Sequence, residues 1–339
     1  MVLRTAALAV LLASGAAGAR SVDEGSGLVV HEWGTFTAVM GDDGLPVEWR
    51  PLSGTDDLPE FVYRRTPSGA LATPDARSVK LRLAALARLE TPVVYFYSDR
   101  PVTASARVAY PGGWITEWYP QARRRRDTIR WDGIEVRPGI AGAFPDDGSR
   151  SHYYAARETD AAALRIETDT GTQEEGFLFY RGAGSVGLSL SVVCEGGFLR
   201  VPRLENGVRD IVVVSNRGGR MGYSLATPEG KAVSLRDGLP GGDVPSLQDE
   251  LRRLLVRHGL YPKEAAAMVA TWGDSWFEEG TRVFYVLPRA EVDRALPLTV
   301  TPPPSETARV LVGRLELVLP EDEERARAEV DRLPDPPSA

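Results

Sequence analysis

Three histidines, one cysteine and a few acid–aromatic clusters carry the chemistry open to this 339-residue chain. His31 and Glu32 stand together like the start of an H-E-x-x-H zinc site, but position 35 is Thr, so the second ligand is missing. The residues around them alternate as a strand does, which sends neighbours to opposite sides. His152 and His258 are the other imidazoles, and their spacing predicts no metal. No metal or cofactor is expected, and each histidine is expected to pair with a nearby polar group. Cys194 sits in the apolar run 188–194 with no base beside it, so it reads as a small buried hydrophobe; as the single cysteine it allows no intramolecular disulfide.

Gly182, Gly184 and Gly187 match G-x-G-x-x-G, and Gly184-Ser185-Val186-Gly187 lies in a degenerate nucleophile elbow. Both motifs need a helix after the loop. The loop is followed instead by Leu188-Ser-Leu-Ser-Val, which alternates as a strand. The dinucleotide reading is therefore rejected, and the elbow lacks its context.

Two aromatic clusters remain. On a regular strand, Trp114, Thr116 and Trp118 share one face. If that face is solvated, it offers a platform for sugar rings; if it faces inward, it is core, the commoner fate of large aromatics. Trp272, Asp274, Trp276 and the Glu278–Glu279 pair form the second cluster, whose carboxylates suit acid–base chemistry.

The elements that must position these residues are short and alternating. From Gly27 to about Leu235 the period is two, with Gly, Pro and Asp turns recurring, and strands are expected from Leu28–Met40 through Lys231–Leu235, His152–Arg157 among them. The spacing leaves no room for repeated crossover helices, so the sheets are expected to be antiparallel. After the Gly/Pro-rich stretch 237–245, a helix capped by Ser246 with Asp249 at its third position is expected, ending at Gly259. A second helix starts at Pro262, and strands follow at Arg282–Leu287 and Ala308–Leu319. The fold class is mainly β, α+β overall: antiparallel, β-sandwich-like sheets with a C-terminal helical pair and two further strands. The expected divisions are a signal peptide at 1–19, the β region at 20–235, an α+β region at 236–319 that can complete the same sheet, and a frayed acidic, Pro-rich tail at 320–339.

Arg4, the apolar stretch Ala6–Ala13 and the small residues ending Ala17-Gly18-Ala19 compose a cleavable secretory signal. The apolar stretch is too short to anchor the chain, and no later segment is long enough to span a bilayer. A periplasmic or extracellular location is expected. Cleavage removes Arg4 and no acid, leaving 39 basic residues against 47 acidic ones. That acidic balance gives no footprint for nucleic acid, and the isolated run Arg123–Arg126 reads as a solvated loop.

The strings His31-Glu-Trp-Gly-Thr-Phe-Thr37, Glu90-Thr-Pro-Val-Val-Tyr-Phe-Tyr-Ser98, Phe177-Leu-Phe-Tyr-Arg-Gly182 and Ser275-Trp-Phe-Glu-Glu-Gly-Thr-Arg282 go together. In them the chain resembles a group of exported bacterial proteins of uncharacterised activity, over most of residues 27–319. The resemblance implies export and one coherent unit, and it assigns no functional residue. Two functions from different classes follow from the residues. The first is a binding or structural module of the cell envelope, recognising glycan or protein through His31, Glu32, Trp114, Trp118, His152 and Glu278. The alternative is a secreted hydrolase whose site is assembled from distant loops, drawing on His31, Glu32, His152 or the Glu278–Glu279 pair.

Overall fold

The computed structural model describes residues 27–41, 43–51, 57–64, 84–205, 207–226, 232–235 and 238–332. The signal segment lies outside them. Alternating apolar residues make strands that assemble into three sheets. The largest runs in the order β15 (Arg220–Ala226), β14 (Ile211–Arg217), β17 (Gly280–Val286), β19 (Glu306–Leu317), β1 (Val29–Met40), β4 (Ala87–Tyr97), β11 (Leu178–Gly184), β6 (Gly113–Tyr119) and β3 (Tyr63–Arg64). The short β2 (Pro46–Val47) adds to β1. The second sheet is β10 (Gly171–Glu175), β9 (Ala163–Thr168), β8 (Thr128–Arg137), β5 (Val102–Ala109) and β18 (Leu298–Thr301), with β7 (Arg123–Arg124) on β8. The third is β12 (Leu190–Glu195), β13 (Phe198–Leu204) and β16 (Val233–Ser234).

The fold is mainly β, α+β overall, and its sheets stack as a sandwich. One core lies between the large sheet and the other two: Val30, Phe36, Val94, Leu178 and Leu311 meet Val108, Ile129, Trp131, Leu164 and Leu190. A second core lies on the opposite face of the large sheet. There Trp33, Val93, Tyr95, Phe284 and Val310 pack under two helices, Val244–Arg257 and Pro262–Thr271. Pairing is antiparallel except between β1 and β19, which run parallel. No short crossover is needed for that pair, because nearly the whole chain lies between the two strands.

Several elements differ from expectation. His152–Arg157 is a short 3-10 helix of two turns, not a strand: Ser151 caps it by accepting from the Tyr153 amide, and Tyr153 and Ala156 are its buried residues. A spacing of three is the repeat of that helix. The first long helix is capped by Asp243, not Ser246. Asp243 accepts from the Ser246 amide at 2.8 Å, Ser246 accepts from the Asp243 amide at 3.2 Å, and Pro245 fits in the first turn, where no amide donor is required. Pro320–Val330 is helical rather than frayed, starting on proline, and Asp322 both caps Leu319 and pairs with Arg217. The helix Arg289–Ala295 and strands β10 and β18 were not foreseen. The stretch after Gly184 is a loop leading to β12, so residues 178–195 run strand, loop, strand.

Candidate functional site

The helix-covered face of the large sheet is apolar over one half and charged over the other. Alternation on β19 puts Val310, Val312, Arg314 and Glu316 on this face, and on β1 it puts Trp33 and Thr37 there. Arg88 and Glu90 of β4, Arg181 of β11 and Arg282 of β17 join the charged half. Arg88, Thr37 and Arg314 lie side by side on β4, β1 and β19. The helices do not cover this end. A cleft of about 370 Å³ remains, floored by Thr37, Val39, Arg88, Glu90, Arg314 and Glu316. Its other walls are Trp49, Asp57, His152 and the turn after the second helix, which supplies Trp272, Asp274, Ser275 and Glu278. The volume is that of a small-molecule site.

The ionic contacts are dense. Arg181 grips Asp57 with both terminal nitrogens, at 2.8 and 3.2 Å. His152 Nε2 lies 3.1 Å from the same carboxylate, and its Nδ1 lies 3.5 Å from Asp274. Burial works against the Asp57 charge, but the Arg181 guanidinium and the hydrogen bonds from His152 and Arg181 hold its carboxyl far below the usual carboxylate range. Arg314 meets both Glu278 and Glu316, and Arg282 meets Glu316 and the carbonyls of Trp276 and Glu278. Glu90 accepts from Thr37 at 2.9 Å and faces Arg88 at 3.3 Å. Burial depresses the Arg88 proton affinity; Glu90 and Asp57 oppose this, while the guanidiniums of Arg181 and Arg314 add to it.

Of the residues singled out in the sequence, His152 and three members of the second acid–aromatic cluster, Trp272, Asp274 and Glu278, line this cleft. His31 and Glu32 lie on opposite faces of β1, both fully buried and away from it. His31 Nδ1 is 2.8 Å from Glu264 Oε2, between the sheet and the second helix, and Tyr97 donates to the other oxygen of Glu264. Glu32 accepts from Tyr180 and Arg309 in the core between the sheets. Both are parts of structural networks. His258 pairs with Asp210 at 2.8 Å. Among the described residues, no group of three or more His, Cys, Asp or Glu side chains is placed to hold a metal ion.

Trp114 and Trp118 do not share a face. β6 and β11 slip out of register between Arg181–Glu117 and Gly182–Ile115, which makes Thr116 an extra residue, a β-bulge. Trp118 consequently joins the core between the sheets, 3% exposed and stacked on Tyr63 at 5.9 Å. Trp114 packs on the other face against Ala85 and Ala183, beneath the Arg126 guanidinium at 4.6 Å. A shared aromatic platform, which required strict alternation and a solvated face, does not form, and for Trp118 the core reading holds.

Asp57, Arg88, Glu90, Arg181, Arg314 and Glu316 were not anticipated as site residues. Glu90 and Arg181 do occur in two of the strings that carry the resemblance, and Trp272 and Asp274 belong to the acid–aromatic cluster already noted. Position within a strand gave no cue that their charged side chains converge.

No protein-family model matches the chain, and no curated protein matches it. Among solved structures the chain is similar to the Fcho1 Mu homology domain of Danio rerio with bound Eps15 peptide, at 8% identity, covering 87% of this chain and 98% of that one, with a TM-score of 0.31. A likeness that loose carries no argument about what the cleft holds.

Proposed function

We propose that this protein is an exported binding module of the cell envelope, and that its ligand is a short saccharide held in the cleft between the charged end of the large sheet and the turn 272–278. The observation that carries this reading is the make-up of the walls. Carboxylates and guanidiniums alternate around a pocket that also includes Trp49 and Trp272. Sugar hydroxyls both donate and accept, so they suit walls with both functions, and the apolar faces of the rings suit indole. The leader at 1–19 supports export.

Titration of the purified protein with neutral, amino and acidic sugars, followed by tryptophan fluorescence and calorimetry, tests the reading. Binding of a neutral sugar should weaken in Asp274→Ala and Glu278→Ala, whose exposed side chains can be lost without unfolding the protein. A folded wild type that binds no sugar in the panel would refute the proposal. Hydrolysis in the same cleft is the second reading, favoured by His152 held between Asp57 and Asp274. Release of sugar from a glycoside by the wild type but not by Asp57→Asn would establish it in place of simple binding.

A further inference from the structure

Among the described residues, Arg88 is a cation of the cleft with few partners. Of the buried guanidiniums, Arg181 holds Asp57 through two nitrogens and Arg309 engages Glu32, Asp293 and the Leu296 carbonyl. Arg282 and Arg314 each have at least two partners. Arg88, with its side chain 19% exposed, has a single ion pair, at 3.3 Å to a carboxylate that it shares with Thr37. Its Nε is buried and has no acceptor. A guanidinium carries five N–H donors in a fixed fork that matches the two oxygens of a carboxylate.

The same deficit extends around the walls. Trp49 Nε1, Trp272 Nε1 and Ser275 Oγ are buried without acceptors. The cleft's carboxylates are all engaged: Asp57 by Arg181 and His152, Glu90 by Thr37 and Arg88, Glu278 by Arg314, Glu316 by Arg282 and Arg314, and Asp274 by His152. The buried polar groups of the walls left without a partner among the described residues include the donors of Arg88, Trp49, Trp272 and Ser275, which an added acceptor would satisfy.

Building on the saccharide reading, we infer that the ligand is an acidic sugar whose carboxylate sits on Arg88. Glucuronate, glucose, glucosamine and acetate distinguish the possibilities on the full-length mature protein. Glucuronate should bind about tenfold more tightly than glucose, as one charge-assisted hydrogen-bonded pair allows. Arg88→Gln should bring the two to equal affinity, and Arg88→Lys, which keeps the charge without the fork, should retain part of the preference.

Equal binding of glucose and glucuronate to the wild type overturns the inference and leaves the saccharide reading standing. Glucosamine binding more tightly than glucuronate overturns it too, since the acidic mouth formed by Asp274 and Glu278 would then select the ligand. Acetate matching glucuronate overturns the saccharide reading, and no binding by any of the four overturns both. The wild-type comparison decides the matter even if Arg88→Gln fails to fold.

Discussion

Replacing Glu32 with Gln gives the sharpest test of the division between core and cleft. Glu32 is fully buried, and its Oε2 accepts from Arg309 Nε at 2.6 Å while its Oε1 accepts from Tyr180 at 2.6 Å. Burial opposes the Arg309 charge, and Glu32 outweighs it, so the guanidinium holds its proton above the usual arginine range. Glutamine preserves the shape and the tyrosine contact but leaves that guanidinium with Asp293, at 2.7 Å and half exposed, as its remaining charge partner. Breaking a buried pair from one side costs about 3–5 kcal/mol. With Asp293 still present the lower end applies, about 3 kcal/mol, or a fall in Tm of about 4–5 °C for a chain of this size. Urea denaturation should show the midpoint shift at unchanged slope. The triple variant Glu32→Met, Arg309→Met and Tyr180→Phe should recover most of the loss, because a buried polar cluster replaced from every side is often neutral, whereas the double variant alone would strand the Tyr180 hydroxyl. Sugar binding by Glu32→Gln should match the wild type, since Glu32 faces the opposite side of the sheet from the cleft. A loss below about 1 kcal/mol, or a loss of binding in a folded protein, would refute the reasoning.

Three further outcomes are expected. Trp118→Ala should cost about 3–5 kcal/mol in urea denaturation and leave sugar binding unchanged, because the indole fills the core between the sheets; Trp114→Ala, at a half-buried site, should cost less. Asp57 has a folded pKa below its unfolded value near 4, so its contribution is present above pH 4 and disappears only as the solution becomes more acid. Asp57→Asn should therefore lower stability at pH 7 and flatten the loss below pH 4, measured by thermal melts across that range. Asp243→Ala should cost about 1 kcal/mol by loss of the helix cap, whereas Asp249→Ala should leave the denaturation midpoint nearly unchanged.

The parts of the fold that could be read from the chain are those with one uninterrupted period. Ala163–Thr168 and Phe198–Leu204 begin and end where their alternation does, and the helix at Pro262 begins where its proline permits. The 3-10 helix at His152–Arg157 was misread because six residues are too few to separate a period of two from a period of three. The cap at Asp243 was misplaced because Asp243 and Ser246 both have capping side chains, and only the backbone decides which lies outside the helix. The cleft itself was illegible for a different reason. Its floor draws on β4, β1 and β19 and its walls on the 3-10 helix and the 272–278 turn, so no local window of sequence contains it.

One local feature nevertheless creates the charged floor. On β4, strict alternation from Val93 would send Arg88 and Glu90 into the core between the sheets, where two charges would face Leu178 and Phe36 without solvent. The register prevents this: from Trp33–Val93 to Thr35–Glu90, β1 advances two residues and β4 three. The extra residue lies at Thr91–Pro92, and Thr91 takes a φ of 46°, rare for a β-branched residue. Gly34 stands opposite, where a Cβ would lie 3.0 Å from the Pro92 Cα, a contact tighter than nearly all that real side chains make. Glycine in His31–Thr37 and proline in Glu90–Ser98 thus depend on each other. Together they turn Leu89 inward and Arg88 and Glu90 outward, on to the face that carries the cleft. The strain at Thr91 is the kind that persists where surrounding structure enforces it, which is the expected company of a binding site.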